Sequence, residues 1–246
     1  GTTDKKSSRK IKYKKIPRVH QQIMEIKMGG ILNRTWEMLH DGRFLKKALM
    51  IACPVALQGM LNTIVNMVDT LMIGGLGSTA IAAVGLANKV FFVFSLLVFG
   101  IVSGGGILAA QFWGSGDVKN IRKVLGLCVM LAMVGALFFV IPAIASPKMV
   151  MRIFTTSEGS IELGAKYLRI AALCYPFIAL TNVYVAMLRA SNKVVFPVIC
   201  SCIAIAINIC LNYVLIFGKF GAPTMGVAGA ACATLIARCI EVTLVL

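Results

Sequence analysis

Four polar side chains recur along one apolar run: Gln58, Asn62, Asn66 and Asp69. At about 100° per helical residue they fall within an arc of about 80°. An amide–amide–amide–carboxylate stripe is costly in hydrocarbon unless it faces protein or water. Asp69 is the residue in this stripe whose chemistry can change. Desolvation penalises a charged carboxyl, so an acid in this setting is suited to exchanging a proton or binding a cation. That is the chemistry of ion coupling. The plainer alternative is a structural carboxylate, paired with Lys89 or capping a helix end.

Other runs repeat the pattern. Ser201, Asn208 and Asn212 fall within about 40° of one another on a helix. Asn182 lies seven residues after Tyr175, nearly on the same face, and Thr234 adds a hydroxyl to the last run. Turning these faces toward one interior satisfies them together. Arg238 and Glu241 are three apart and share a face, which reads as a self-neutralised structural pair. Lys89 is placed to snorkel toward an interface.

No constellation for covalent or hydrolytic chemistry appears. There is no Ser/His/Asp set, no HExxH and no GxxxxGK[ST]. The segment Gly114-Ser115-Gly116-Asp117 reads as a tight turn, since nothing phosphate-binding surrounds it. The eight cysteines form no CxxC and no Cys/His cluster, and read as small packing residues. No cofactor or metal is expected, and the protein does not read as an enzyme.

The elements that carry these residues must be membrane spans. Hydrophobic residues make up 59% of the 246, and the mean hydropathy is +0.87. A water-soluble fold of this length cannot cover so much apolar surface. About 20 apolar residues cross the hydrocarbon layer, and six runs qualify. They are expected at Ala48–Ile73, Ala80–Phe112, Val124–Ile144, Ile161–Leu188, Val194–Phe217 and from Val227 to the chain end. The second is long enough to be tilted or bent near Gly104, Gly105 and Gly106. Residues 146–160 read as a loop. Pro176 lies inside span 4, and Pro197 in the first turn of span 5. Small residues four apart, Gly100 and Gly104 in span 2 and Gly229, Ala233 and Ala237 in span 6, mark close helix approaches.

Residues 1–47 hold thirteen of the 25 Lys and Arg residues. They read as a basic cytoplasmic tail drawn to anionic headgroups. Within it, residues 31–47 fit a short surface helix. Aromatics are sparse and no recognition motif appears, so nucleic acid is not an expected partner. With the N-terminus inside, 18 basic residues flank the cytoplasmic ends and five the outer ends, as expected for a multi-pass protein with a cytoplasmic N-terminus. The start at Gly1 and the end at Leu246, inside an apolar run, are expected of a piece of a longer protein.

The ordered motifs resemble one family. Pro54, Val68-Asp69-Thr70, Gly74–Gly77 and Ala82-Ala83-Val84-Gly85 resemble the first span and following turn of multidrug and toxic compound extrusion (MATE) transporters. So do Ala110-Gln111 with the turn at 114–117, and Asn208-Ile209-Cys210-Leu211-Asn212 with Ile216-Phe217-Gly218. Gly221-Ala222-Pro223, Gly226–Ala231 and Ala233-Thr234 complete the series, which covers roughly residues 40–246.

The resemblance implies an all-α integral membrane fold. Residues 48–246 would be the six-helix N-terminal lobe of a twelve-helix, two-lobe antiporter whose C-terminal lobe is its partner. Proton or sodium entry across the plasma membrane would drive out lipophilic, often cationic, compounds. Asp69 would couple the ion. Gln58, Asn62, Asn66, Asn182, Asn208, Asn212 and Thr234 would line the pathway. Asn212 matches a position that is Asp in some members, so Asp69 is the central carboxylate of this lobe. The turn Arg189–Lys193 lacks the glycines common there. A lipid-linked or polysaccharide flippase would need more basic residues in the cavity than Lys89 and Arg238. A non-transporting scaffold would not need the stripe.

Overall fold

The structure is a computed structural model and describes residues 42–219, 221 and 223–246. The basic tail to residue 41, with the N-terminal part of its expected surface helix, lies outside the described residues. The chain divides into two units, Gly1–Met50 and Ile51–Leu246.

Every regular element among the described residues is an α-helix. They are α1 (Gly42–Gly74), α2 (Ser78–Gly114), α3 (Val118–Ala145), α4 (Pro147–Arg152), α5 (Glu158–Ala171), α6 (Cys174–Ala190), α7 (Val195–Phe217) and α8 (Val227–Val245). Five helices are individually long and apolar enough to cross a bilayer, and α5 with α6 reach that length and apolarity together as a bent pair. The protein is thus an all-α integral membrane fold of the expected class. Large apolar side chains such as Leu71 and Phe138 stand more than 70% exposed. In hydrocarbon those positions cost nothing, whereas in water they would.

Span 4 is a correction to the sequence reading, which drew one helix from Ile161 to Leu188. The helix bends by 48° between α5 and α6. Pro176 lies in the first turn of α6, just after the break. It has no N–H to give to the Ala172 carbonyl, and its ring crowds that carbonyl. The Tyr175 N–H takes the Ala172 oxygen instead, at 3.0 Å, in a tighter turn. Glu162 inside that drawn span is exposed and pairs with Lys166 at 3.0 Å. The expected loop at 146–160 is also partly helical, with Pro147 opening α4 at a position where its missing N–H costs nothing.

The turns follow the expected chemistry. Gly116 takes φ 75, and Asp117 caps α3 by accepting from the Asn120 N–H at 3.1 Å. Gly218 ends α7 in the left-handed conformation.

One apolar core joins α2, α3, α4, α5 and α6. Phe94 of α2 and Tyr175 of α6 stack with ring centroids 4.6 Å apart, and Phe139 of α3 meets Phe94 edge-on. A second cluster draws Ile73 of α1 to Val84, Ile216, Val227 and Ala230. Close approach uses small residues, and one assignment changes. Gly229, Ala233 and Ala237 are buried on α8 as expected, and a Cβ on Gly229 would sit 2.6 Å from the Leu215 carbonyl oxygen. Gly100 and Gly104 of α2 are exposed; Gly105 is the residue pressed against Cys128 of α3. A single residue turns the helix by about 100°, enough to move a glycine off the contact line. Helix α2 runs unbroken through all three glycines.

The cysteines divide. Cys128, Cys174 and Cys200 are buried, but Cys53, Cys202 and Cys210 are exposed rather than packed. Among the described residues no cluster of His, Cys, Asp and Glu could hold a metal ion.

Candidate functional site

A cavity of about 580 Å³ opens between the spans of the Ile51–Leu246 unit. Six of the eight residues singled out from the sequence line it: Asn62, Asn66 and Asp69 from α1, Asn182 from α6, Asn208 from α7 and Thr234 from α8. Phe91, Tyr175 and Ile178 supply apolar wall. The polar faces therefore do converge on one interior.

Asp69 is tied to α7. The Asn212 Nδ2 donates to Asp69 Oδ1 at 2.5 Å and to Asn208 Oδ1 at 3.1 Å. The Asn208 Nδ2 donates to Thr234 Oγ1 at 3.4 Å, and that hydroxyl donates to the Ala230 carbonyl at 3.0 Å. The result is a polar line from α8 through α7 to the carboxylate of α1. Asn212 is fully buried behind the cavity wall, and its Oδ1 is a buried acceptor with no partner. Buried amide oxygens are normally bonded, and this one has no donor among the described residues. The cluster offers oxygen donors of the kind that hard cations take. Lys89, the alternative partner for Asp69, is exposed and forms no ion pair among the described residues.

Gln58 goes elsewhere. It is buried away from the cavity, where its Nε2 donates to Ser201 Oγ at 2.7 Å and its Oε1 accepts from Arg189 Nη2 at 2.6 Å. Ser201 donates in turn to Glu241 Oε1 at 2.7 Å, and Arg238 Nη1 donates to Glu241 Oε2 at 2.5 Å. The α1 stripe thus splits: its first member joins a charged network with α6, α7 and α8, and the other three face the cavity. The Arg238–Glu241 pair exists as expected, but it is not self-contained. Arg189, read as part of the turn after span 4, lies within α6.

Asn88, Ser95, Tyr167 and Arg238 also border the cavity and were not singled out as pathway residues. Asn88 and Ser95 are seven apart on α2, hence nearly on one face, and that spacing was the available signal.

A bundle of apolar helices around a polar, acid-bearing cavity defines a polytopic helical membrane protein. The comparisons with known proteins give the family. The MatE family model matches residues 54–214, and the chain belongs to that family. It is 32% identical over 195 residues to a probable multidrug resistance protein NorM of Thermotoga maritima, covering 78% of this chain and 42% of that protein. It is also 32% identical over 192 residues to the probable multidrug resistance protein YoeA of Bacillus subtilis, covering 74% of this chain and 40% of that one. The fold matches an outward-facing multidrug resistance MATE family transporter with a TM-score of 0.74 at 23% identity, over 81% of this chain and 44% of that chain. This chain therefore spans less than half the length of those relatives.

Proposed function

We propose that the chain is the N-terminal lobe of a cation-coupled multidrug exporter, working with a C-terminal lobe by alternating access. The exporter sits in the plasma membrane with its N-terminus in the cytoplasm, as the excess of basic residues at the inner span ends favours. Its substrates are lipophilic, often cationic, compounds, and the coupling ion is a proton or sodium. The observation that carries this reading is the Asp69 cluster. A carboxylate on the cavity wall accepts from Asn212, and the buried oxygen of that amide is unsatisfied.

In this reading ionised Asp69 attracts a cationic group in the cavity. Ion entry neutralises the carboxylate, and a proton on it or a sodium ion beside it supplies what the Asn212 oxygen lacks. Substrate and ion then compete for one negative charge, which is the thermodynamic condition for exchange. Asn66, Asn208 and Thr234 complete the polar surroundings.

The test is efflux of a fluorescent lipophilic cation by the whole transporter carrying this lobe, compared with its Asp69→Asn variant. Efflux is expected to fall to the level of cells lacking the protein, with membrane insertion retained. Normal efflux by a correctly inserted variant would sink the reading.

A further inference from the structure

Three cations stand together near the start of α3: Lys119, Arg122 and Lys123, all exposed. At about 100° per residue they fall within an arc of about 100° on the helix. The opposite side of the same turns is occupied, since Val124 and Leu125 pack against the core that includes Cys128. The cations therefore point away from the bundle.

Among the described residues none of the three forms an ion pair. Asp117, the acid of the adjoining turn, is engaged through both oxygens. Its Oδ1 accepts from the Asn120 N–H at 3.1 Å and its Oδ2 from the Asn120 Nδ2 at 2.6 Å. Helix α6, which packs against α3, brings the cation Arg189 and no acid. Like charges three and four residues apart repel one another, and the positive end of a helix dipole repels them further. Alone, the arrangement costs stability. An external anion reverses the sign of both effects.

The helix beyond the cations identifies the anion. Gly126, Met130, Val134 and Leu137 follow on the same side of α3. The last three are 57%, 61% and 48% exposed. Gly126 is exposed too, and a Cβ there would meet no atom within 4 Å. The cations thus stand at the head of an open apolar strip on a helix long and apolar enough to cross the bilayer. Trp113, 44% exposed in the last turn of α2, lies at the same end and is a side chain that settles at headgroup level. A soluble anion would use the cations alone. A phospholipid with an anionic headgroup matches both parts.

We propose that Lys119, Arg122 and Lys123 form a binding site for one anionic phospholipid, its headgroup on the three cations and an acyl chain against Gly126, Met130 and Val134. The site is separate from the basic tail and does not depend on the exporter reading.

The test titrates the delipidated full-length transporter in detergent with phosphatidylglycerol or phosphatidylcholine, and counts bound lipids by native mass spectrometry. The first phosphatidylglycerol is expected to bind about 100-fold more tightly than phosphatidylcholine, since each Lys or Arg near the headgroup contributes roughly fivefold. Lys119→Gln, Arg122→Gln and Lys123→Gln combined should remove that preference and leave phosphatidylcholine binding unchanged. Arg122→Gln alone should lower phosphatidylglycerol affinity about fivefold, and it stands in if the triple variant does not insert. In the tail, Lys12→Gln, Lys14→Gln and Lys15→Gln combined should leave the first phosphatidylglycerol in place.

Unchanged phosphatidylglycerol affinity in the α3 variants overturns the proposal, as does an equal loss for both lipids or an equal loss in the tail variant. Excess inorganic phosphate should not displace the lipid. Displacement would assign the cations to a soluble anion and overturn the lipid site.

Discussion

Asp69 of α1 and Asn212 of α7 share a 2.5 Å hydrogen bond across 143 residues of sequence. Much of α1 faces outward; Ile73 is its residue in the apolar cluster with α2, α7 and α8, and Val65 is also buried. The bond therefore fastens the carrier of the carboxylate to the bundle at the point where an ion would act. Protonating the carboxylate would alter this fastening directly, because one contact ties Asp69 to α7.

Replacing Asn212 by Leu should break that relationship at similar volume. Asp69 loses a donor, and Asn208 loses the amide that satisfies its oxygen. The expected destabilisation is about 1–3 kcal/mol, the desolvation penalty of newly unpaired polar groups. A lowered unfolding midpoint in detergent, with substrate-driven ion exchange abolished, is the expected result. Unchanged stability and exchange would show that the bond carries neither function.

Gln58→Leu should act on the second fastening of α1. It removes the acceptor of Arg189 and the donor to Ser201 in one step. A double-mutant cycle of Gln58→Leu with Ser201→Ala is expected to give a coupling energy of roughly 0.5–3 kcal/mol. Amide exchange in the N-terminal half of α1 should quicken in the single variant. A coupling energy near zero would mean that the two side chains act independently.

The sequence made much of this legible, and the limits are physical. Hydropathy marked the crossings because the bilayer demands length and apolarity from each segment independently of its neighbours. The arc from Gln58 to Asp69 was readable from helical rotation alone. Which neighbour meets which level of the stripe depends on packing, so the separation of Gln58 from Asn62 was not readable. The Arg238–Glu241 pair is local and visible at a spacing of three. Its link to Ser201 spans 40 residues and needs the placement of α7 against α8.

Glycine substitutions should separate the contact face of each helix from the rest. Gly229→Ala would force a methyl group onto the Leu215 backbone, which cannot rotate away. A loss of roughly 1–3 kcal/mol is expected from overpacking at that α7–α8 contact. Gly104→Ala meets no atom within 4 Å and should gain roughly 0.5–1 kcal/mol from helix propensity. Thermal unfolding of the two variants should therefore move in opposite directions. Equal destabilisation would restore the pairing expected from the four-residue spacing.

Pro176→Ala should test the origin of the bend between α5 and α6. Alanine restores an N–H that can bond the Ala172 carbonyl, now held by Tyr175 at 3.0 Å. It also removes the ring that crowds that carbonyl. The helix gains a hydrogen bond if it straightens, but straightening must move Tyr175, which is stacked on Phe94 with centroids 4.6 Å apart, or the α5 residues Ile161 and Leu168 buried in the same core. Loss of one aromatic stack costs about 0.5–1.5 kcal/mol, comparable to the net gain of one backbone bond. Core packing beyond the stack tips the balance toward the bend. Spin-label distances between exposed sites on α5 and α6 should thus change little in Pro176→Ala and lengthen in Pro176→Ala combined with Tyr175→Ala. Lengthening in the single variant would assign the 48° angle to the proline alone, and no change in either would assign it to the rest of the core.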